Sequence, residues 1–178
     1  MTSYGDLEEI RPDLELLLTD VLSSVLSEEA YPVESPADGP AAPNGAGAVI
    51  GARLAIHDEA DDSYLGVEVR VDAMLARLLA ARMLSAGTPS QDDVLDAVGE
   101  LGNIVAGNVK SLLFHTARLS LPMADPGGAV PQPDLPSAVR VAAAVLGQVA
   151  ELSLVPHVAP DDHAWPPVLA DHPLENQS

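Results

Sequence analysis

The chain has 178 residues, 47% hydrophobic but only 3% aromatic, with a net charge of −19. That is enough apolar material for one domain whose core is built from Leu, Val, Ile and Ala. The charge makes nucleic acid and anionic membranes poor partners, and the lack of cysteine excludes disulfides, thiolate zinc sites and thiol nucleophiles.

Residues 1–10, "MTSYGDLEEI", lack the basic-then-apolar pattern of a secretory signal. No apolar run approaches the roughly 18 residues of a membrane span. A cytoplasmic protein is expected. Residues 13–29 place Leu14, Leu17, Leu18, Val21, Leu22, Val25 and Leu26 at helical spacing, with Pro12 suited to a first turn. The Pro/Gly-rich stretch 31–47 reads as a loop. Residues 48–57 and 63–71 alternate, as in Leu65, Val67, Val69 and Val71, and read as two strands joined by the acidic turn 58–62.

A helix over about 72–86 follows, with Asp72 as N-cap and Gly87 as stop. Ser90 opens a second helix, and Asp93 completes a capping-box pattern; this helix runs to about Phe114. Three strand-like runs come next, at 118–123, 138–146 and 149–158, the last two joined by a tight turn at Gly147-Gln148. The final stretch 159–178, with Pro160, Pro166, Pro167 and Pro173, reads as a flexible, acidic, solvated tail. The domain is therefore 1–158, its core about 10–158.

The order is helix, two strands, two helices, three strands. It specifies an α+β fold: an antiparallel or mixed sheet packed by two long helices plus an N-terminal helix.

The second of the paired helices carries the chemistry. At 100° per residue from Asp96, Glu100 falls at about 40°, Asn103 at about −20°, Gly107 at about 20° and Lys110 at about −40°. These polar positions share one stripe. Leu101, Ile104, Val105, Val98, Val109 and Leu112 fall on the opposite side, between about 80° and 220°, and are expected to be buried; Asn108, at about 120°, is expected among them. Gly99, Gly102 and Gly107 each cost a helix roughly 0.5–1 kcal/mol relative to Ala, so close approach of another surface is expected near them. Lys110, the only lysine, is expected to pair with Asp96 or Glu100 across turns. Taken alone, a Glu-x-x-Asn pair is a solvated helix face; the longer string and the element order separate this one from that reading.

Asp96-x-x-x-Glu100-x-x-Asn103, continued by Gly107-Asn108-x-Lys110-Ser111, resembles the signature of the CheC/CheX/FliY phosphatases of bacterial chemotaxis. The continuation is more similar to CheX members, and the single copy of the motif agrees with that. The resemblance spans about residues 10–158. The family pattern ends in a proline a little over twenty residues after the Asn. Pro122 follows Asn103 by 19 positions and Pro126 by 23; Pro122, in "RLSLP", fits better as the residue ending a strand.

The resemblance implies hydrolysis of the aspartyl phosphate on a response-regulator receiver domain of the CheY type. Asn103 would position the attacking water, since a carboxamide both accepts and donates but is a poor base. Glu100 would orient the helix against the receiver's lysine. Both would be the catalytic residues, with Asp96, Gly107 and Lys110 docking the receiver. Mg²⁺ would come from the phosphorylated receiver, and no cofactor or metal of its own is expected. Monomer and homodimer both stay open. The alternative is a non-catalytic receiver-binding or scaffold protein of two-component signalling; a flagellar-switch-type subunit is a third reading.

Other signals are weaker. "GAGAVIG" at 45–51 has the wrong spacing for a dinucleotide loop. His157, Asp161, Asp162 and His163 straddle the tail and read as solvated rather than as metal ligands. His57 and His115 have no partner pattern.

Overall fold

The computed structural model describes residues 4–34, 49–84, 87–126, 139–158 and 165–168. Its elements are α1 (Tyr4–Glu9), α2 (Arg11–Leu26), β1 (Ala30–Val33), β2 (Val49–Asp58), β3 (Ser63–Asp72), α3 (Ala73–Met83), α4 (Gln91–Leu113), β4 (Ala117–Leu119), β5 (Met123–Asp125), β6 (Val139–Val145) and β7 (Gln148–Pro156). All pairings are antiparallel, in the order β1-β6-β7-β3-β2-β4, with β5 also on β2. The α+β architecture expected from the element order is present.

Alternation decides how the sheet is covered. Ala52, Leu54 and Ile56 of β2, Val67, Val69 and Val71 of β3, Val141, Ala143 and Val145 of β6, and Leu152 and Leu154 of β7 join one core with the helices. On α2, Leu14, Leu18 and Leu22 are fully buried, in the i, i+4 row the sequence predicts. Each contributes about 1.5–3 kcal/mol of hydrophobic burial. Helix α4 lies on β2 and β3 and is flanked by α3 and β5.

The opposite face of the sheet also leaves solvent. Arg53 and Glu68 sit side by side in the β2–β3 register and are paired at 3.0 Å, with both side chains buried. The lone tryptophan, Trp165, packs there with Ala55, Val155 and Val158. A Cβ on Gly66 would come within 2.5 Å of its ring, so the absence of a side chain there is what lets the indole pack against β3. The solvated-tail reading is thus corrected at residues 165–168; the remainder of 159–178 lies outside the described residues.

Other boundaries shift. A short helix, α1, precedes the expected one, and Pro12 occupies the first turn of α2. The stretch read as a loop from 31 begins instead inside β1; Pro32 is tolerated because β1 is an edge strand. The rest of that loop, 35–48, lies outside the described residues. Helix α3 ends at Met83, short of Gly87, where Arg82 donates to the Leu26 carbonyl and ties the last turn to the end of α2. The β6–β7 turn is Leu146-Gly147, one residue earlier than expected; both have positive φ, as a two-residue hairpin turn matching the strand twist requires. The run 118–123 is two short strands rather than one.

Candidate functional site

Helix α4 starts as its sequence dictates. Ser90 Oγ accepts from the Asp93 N–H, and the Asp93 carboxylate accepts from the Ser90 N–H and hydroxyl, completing the capping box. These bonds, the hydroxyl first, hold the Asp93 carboxyl below its ordinary value. Asp92 and Asp93 in the first turn also suit the positive end of the helix dipole.

Past the cap, the polar stripe faces outward. Asp96 and Glu100 are exposed, and Asn103, Gly107 and Lys110 are half-buried on the same side. Val94, Val98, Leu101, Val105 and Val109 are buried against the sheet. The buried arc is rotated from the expected one. Gly99, Gly102 and Ala106 are inside it, whereas Ile104 is half-buried, Leu112 is exposed and Asn108 is exposed. Asn108 is therefore not a core residue; its amide donates to the Ile104 carbonyl one turn back. The rotation follows from β5 and Pro122 closing over the Gly99 edge of the helix. Among the described residues Lys110 takes part in no ion pair, correcting the expected pairing: Asp96 and Glu100 lie three to four turns away along the axis.

The three helix glycines have three different surroundings. A Cβ on Gly102 would lie 2.9 Å from Ala52 Cβ and 3.0 Å from Leu54 Cδ1, so this residue lets α4 settle onto β2. A Cβ on Gly99 would sit 3.7 Å from Pro122 Cβ and Cγ, an ordinary contact. A Cβ on Gly107 would meet nothing within 4 Å among the described residues outside its own helix backbone, so this position is open to an outside surface.

Pro122 reaches Gly99 through a β-bulge. β4 pairs with Ile56–Asp58 and β5 with Gly51–Arg53, and the register slips by one residue between them. Ser120 N–H donates to the Ala55 carbonyl, and the Ala55 N–H donates to Ser120 Oγ. Pro122, which has no N–H to pair, falls in the slip. Pro122 thus lies beside the Gly99 turn of the helix. The sequence could point to it only as a strand terminator, because the bulge depends on pairing with β2.

Among the described residues no three His, Asp or Glu side chains gather to hold a metal, and no helix is long and apolar enough to cross a membrane. His57 stacks on Tyr64 and its Nε2 lies 2.8 Å from Asp62, away from α4. Asp161, Asp162 and His163 lie outside the described residues.

A seven-stranded antiparallel sheet, packed by a capped helix that presents Glu-x-x-Asn from its outer face, makes this an α+β protein. Residues 55–132, which include α4 and Pro122, match the family model of the chemotaxis phosphatase CheX. Over that stretch the chain is similar to CheX. No curated protein matches it.

Solved structures agree on the fold. The chemotaxis protein CheX from Desulfovibrio desulfuricans is 18% identical, with a TM-score of 0.64 over 83% of this chain and 99% of that one. CheX from Vibrio vulnificus is 18% identical, with a TM-score of 0.61 over 80% and 92%. A chain of the CheX-CheY-BeF3-Mg complex from Borrelia burgdorferi is 14% identical, with a TM-score of 0.57 over 83% and 98%.

Proposed function

We propose that this protein hydrolyses the aspartyl phosphate of a CheY-like response-regulator receiver, with Glu100 and Asn103 as its catalytic residues. The observation that carries the reading is the outward stripe on α4: a carboxylate and a carboxamide one turn apart, above an open Gly107, on a helix whose other side is locked to the sheet. The family match and a structural neighbour solved as a CheX-CheY complex support the partner class.

The chemistry needs little from the protein beyond position. Phosphoryl transfer is catalysed chiefly by alignment and electrostatics. In this reading the receiver brings its own Mg²⁺ and lysine. Asn103 accepts from and donates to a water, holding it in line with the phosphorus, and does not take its proton. Glu100 meets the receiver's lysine and fixes the approach angle of α4. Asp96, Gly107 and Lys110 lie on the docking side of the stripe. In this reading the reaction takes place in the cytoplasm, with a phosphorylated receiver domain as the partner.

The test is phosphate release from a panel of phosphorylated receivers, with the parent protein and with Asn103→Ala. Acceleration by the parent, lost in the variant while receiver binding is kept, is the expected result. Binding without acceleration by the parent would favour a non-catalytic receiver-binding role. Equal acceleration by parent and variant would remove Asn103 from the mechanism.

A further inference from the structure

We infer that Ser120 is a positioning residue for the Glu100–Asn103 site, acting through Pro122; the inference rests on the phosphatase reading above. Ser120 is 3% exposed, and its hydroxyl does two things at once. It accepts from the Ala55 N–H at 2.9 Å and donates to the Leu121 carbonyl at 3.0 Å. Ala55 is fully buried in β2, so its N–H has no water to turn to. The serine hydroxyl thus replaces the ladder bond that the one-residue slip would otherwise break, and it pins the carbonyl immediately before Pro122. Leu121, between them, is 69% exposed; packing of its own side chain therefore does little to hold this turn.

The pinned turn delivers Pro122 to Gly99, 3.7 Å from where a Cβ would be. Gly99 is one helical turn before Asn103. Helical side chains lean toward the N-terminus and cover the preceding turn. The Asn103 carboxamide therefore leans over the surface that Pro122 walls. Proline suits that wall: its ring is rigid, and it has no N–H to compete for the water or for phosphoryl oxygens. Ser120 fixes the wall, the wall limits the rotamers of Asn103, and the amide is held ready for a water.

The experiment measures phosphate release against receiver concentration for the parent, Ser120→Ala, Pro122→Ala and the double variant. Ser120→Ala is expected to lower the rate at saturating receiver by about 10-fold, as small misplacements of a reacting group do, with KM within about twofold because the docking surface is untouched. Pro122→Ala should do the same, and the double variant should be no worse than the worse single one, since both act through one wall. An unchanged saturating rate for Ser120→Ala, or losses that multiply in the double variant, would overturn the assignment. If Ser120→Ala does not fold, Pro122→Ala decides: a lowered rate at unchanged KM supports the wall, and a full rate overturns it. A parent that accelerates no receiver would instead overturn the phosphatase reading itself, before any variant is compared.

Discussion

Gly102 of α4 stands so close to Ala52 of β2 that a Cβ on the glycine would lie 2.9 Å from the alanine's own. The helix reaches this depth only because there is no side chain in the way. Gly102→Ala should therefore destabilise the fold by about 1 kcal/mol or more, overpacking outweighing the gain in helix propensity. Gly107→Ala, with nothing within 4 Å of the new methyl, should stabilise it by about 0.5–1 kcal/mol. Urea unfolding should move the two midpoints in opposite directions. Movement in the same direction would mean that the α4–β2 contact is not so tight.

The capping box gives α4 a pH dependence. Asp93 is held below its ordinary 3.8, by the Ser90 hydroxyl first and the Ser90 N–H second. A lowered value in the folded state means that the unfolded chain binds the proton more readily. The cap's contribution is then complete above the ordinary value and lost as pH falls through the folded one. Asp93→Asn should be less stable than the parent at about pH 7, and the gap should narrow by about pH 3. A gap that stays constant between those two pH values would argue against the carboxylate as the stabilising group.

Much of this arrangement was legible because local signals and the fold agree. Asp72 and Ser90 cap the helices they were expected to cap. The alternation of β3 and the leucine row of α2 face the core as read. What failed depends on pairing between distant segments. A helical wheel places Asn108 inside, because it knows the period but not which side the edge strand closes. Pro122 looked like a strand terminator because a bulge exists only relative to β2. The burial of Arg53 and Glu68 is not readable from the strands, since alternation says which side a residue is on but not what lies over it. Trp165 reads as part of the tail because of its proline neighbours. The one available clue was Gly66, a glycine interrupting a run of β-formers.

The Arg53–Glu68 pair has side chains only 5% and 9% exposed. Removing Glu68 takes one close partner from a buried guanidinium. Glu68→Ala should cost about 3 kcal/mol, whereas Arg53→Met combined with Glu68→Leu should lie closer to the parent. Thermal unfolding of the two variants checks this. A double variant as unstable as the single one would show that the guanidinium holds the structure by contacts other than this carboxylate.

Docking should depend on charge in two opposed ways. Glu100 is exposed and would meet a receiver lysine, so Glu100→Gln should weaken complex formation several-fold as well as slow turnover. The chain as a whole carries −19, and its general repulsion of an acidic receiver acts over longer range. Added salt screens that exposed, distant part more than a close contact. Moderate salt should leave parent dephosphorylation unchanged or faster. Steady loss of activity over the same range would mean that long-range attraction brings the partners together.

Gly107 offers the sharpest test of where the receiver sits. It lies on the stripe one turn after Asn103, and a Cβ added there would meet nothing within 4 Å among the described residues outside its own helix backbone. Gly107→Leu therefore creates no internal clash, and Leu is the better helix former, so the variant should fold and unfold at a midpoint at or above the parent's. A receiver laid on the stripe would meet four added carbons at the contact. Overpacking a close-fitted surface forces neighbours apart, so the expected result is a large rise in KM for the phosphorylated receiver. Circular dichroism and urea unfolding establish that the helix is intact, and phosphate release then reads the docking. A folded Gly107→Leu protein with the parent's KM and rate would show that the partner does not approach this face, and the assignment of Glu100 and Asn103 would fall with it.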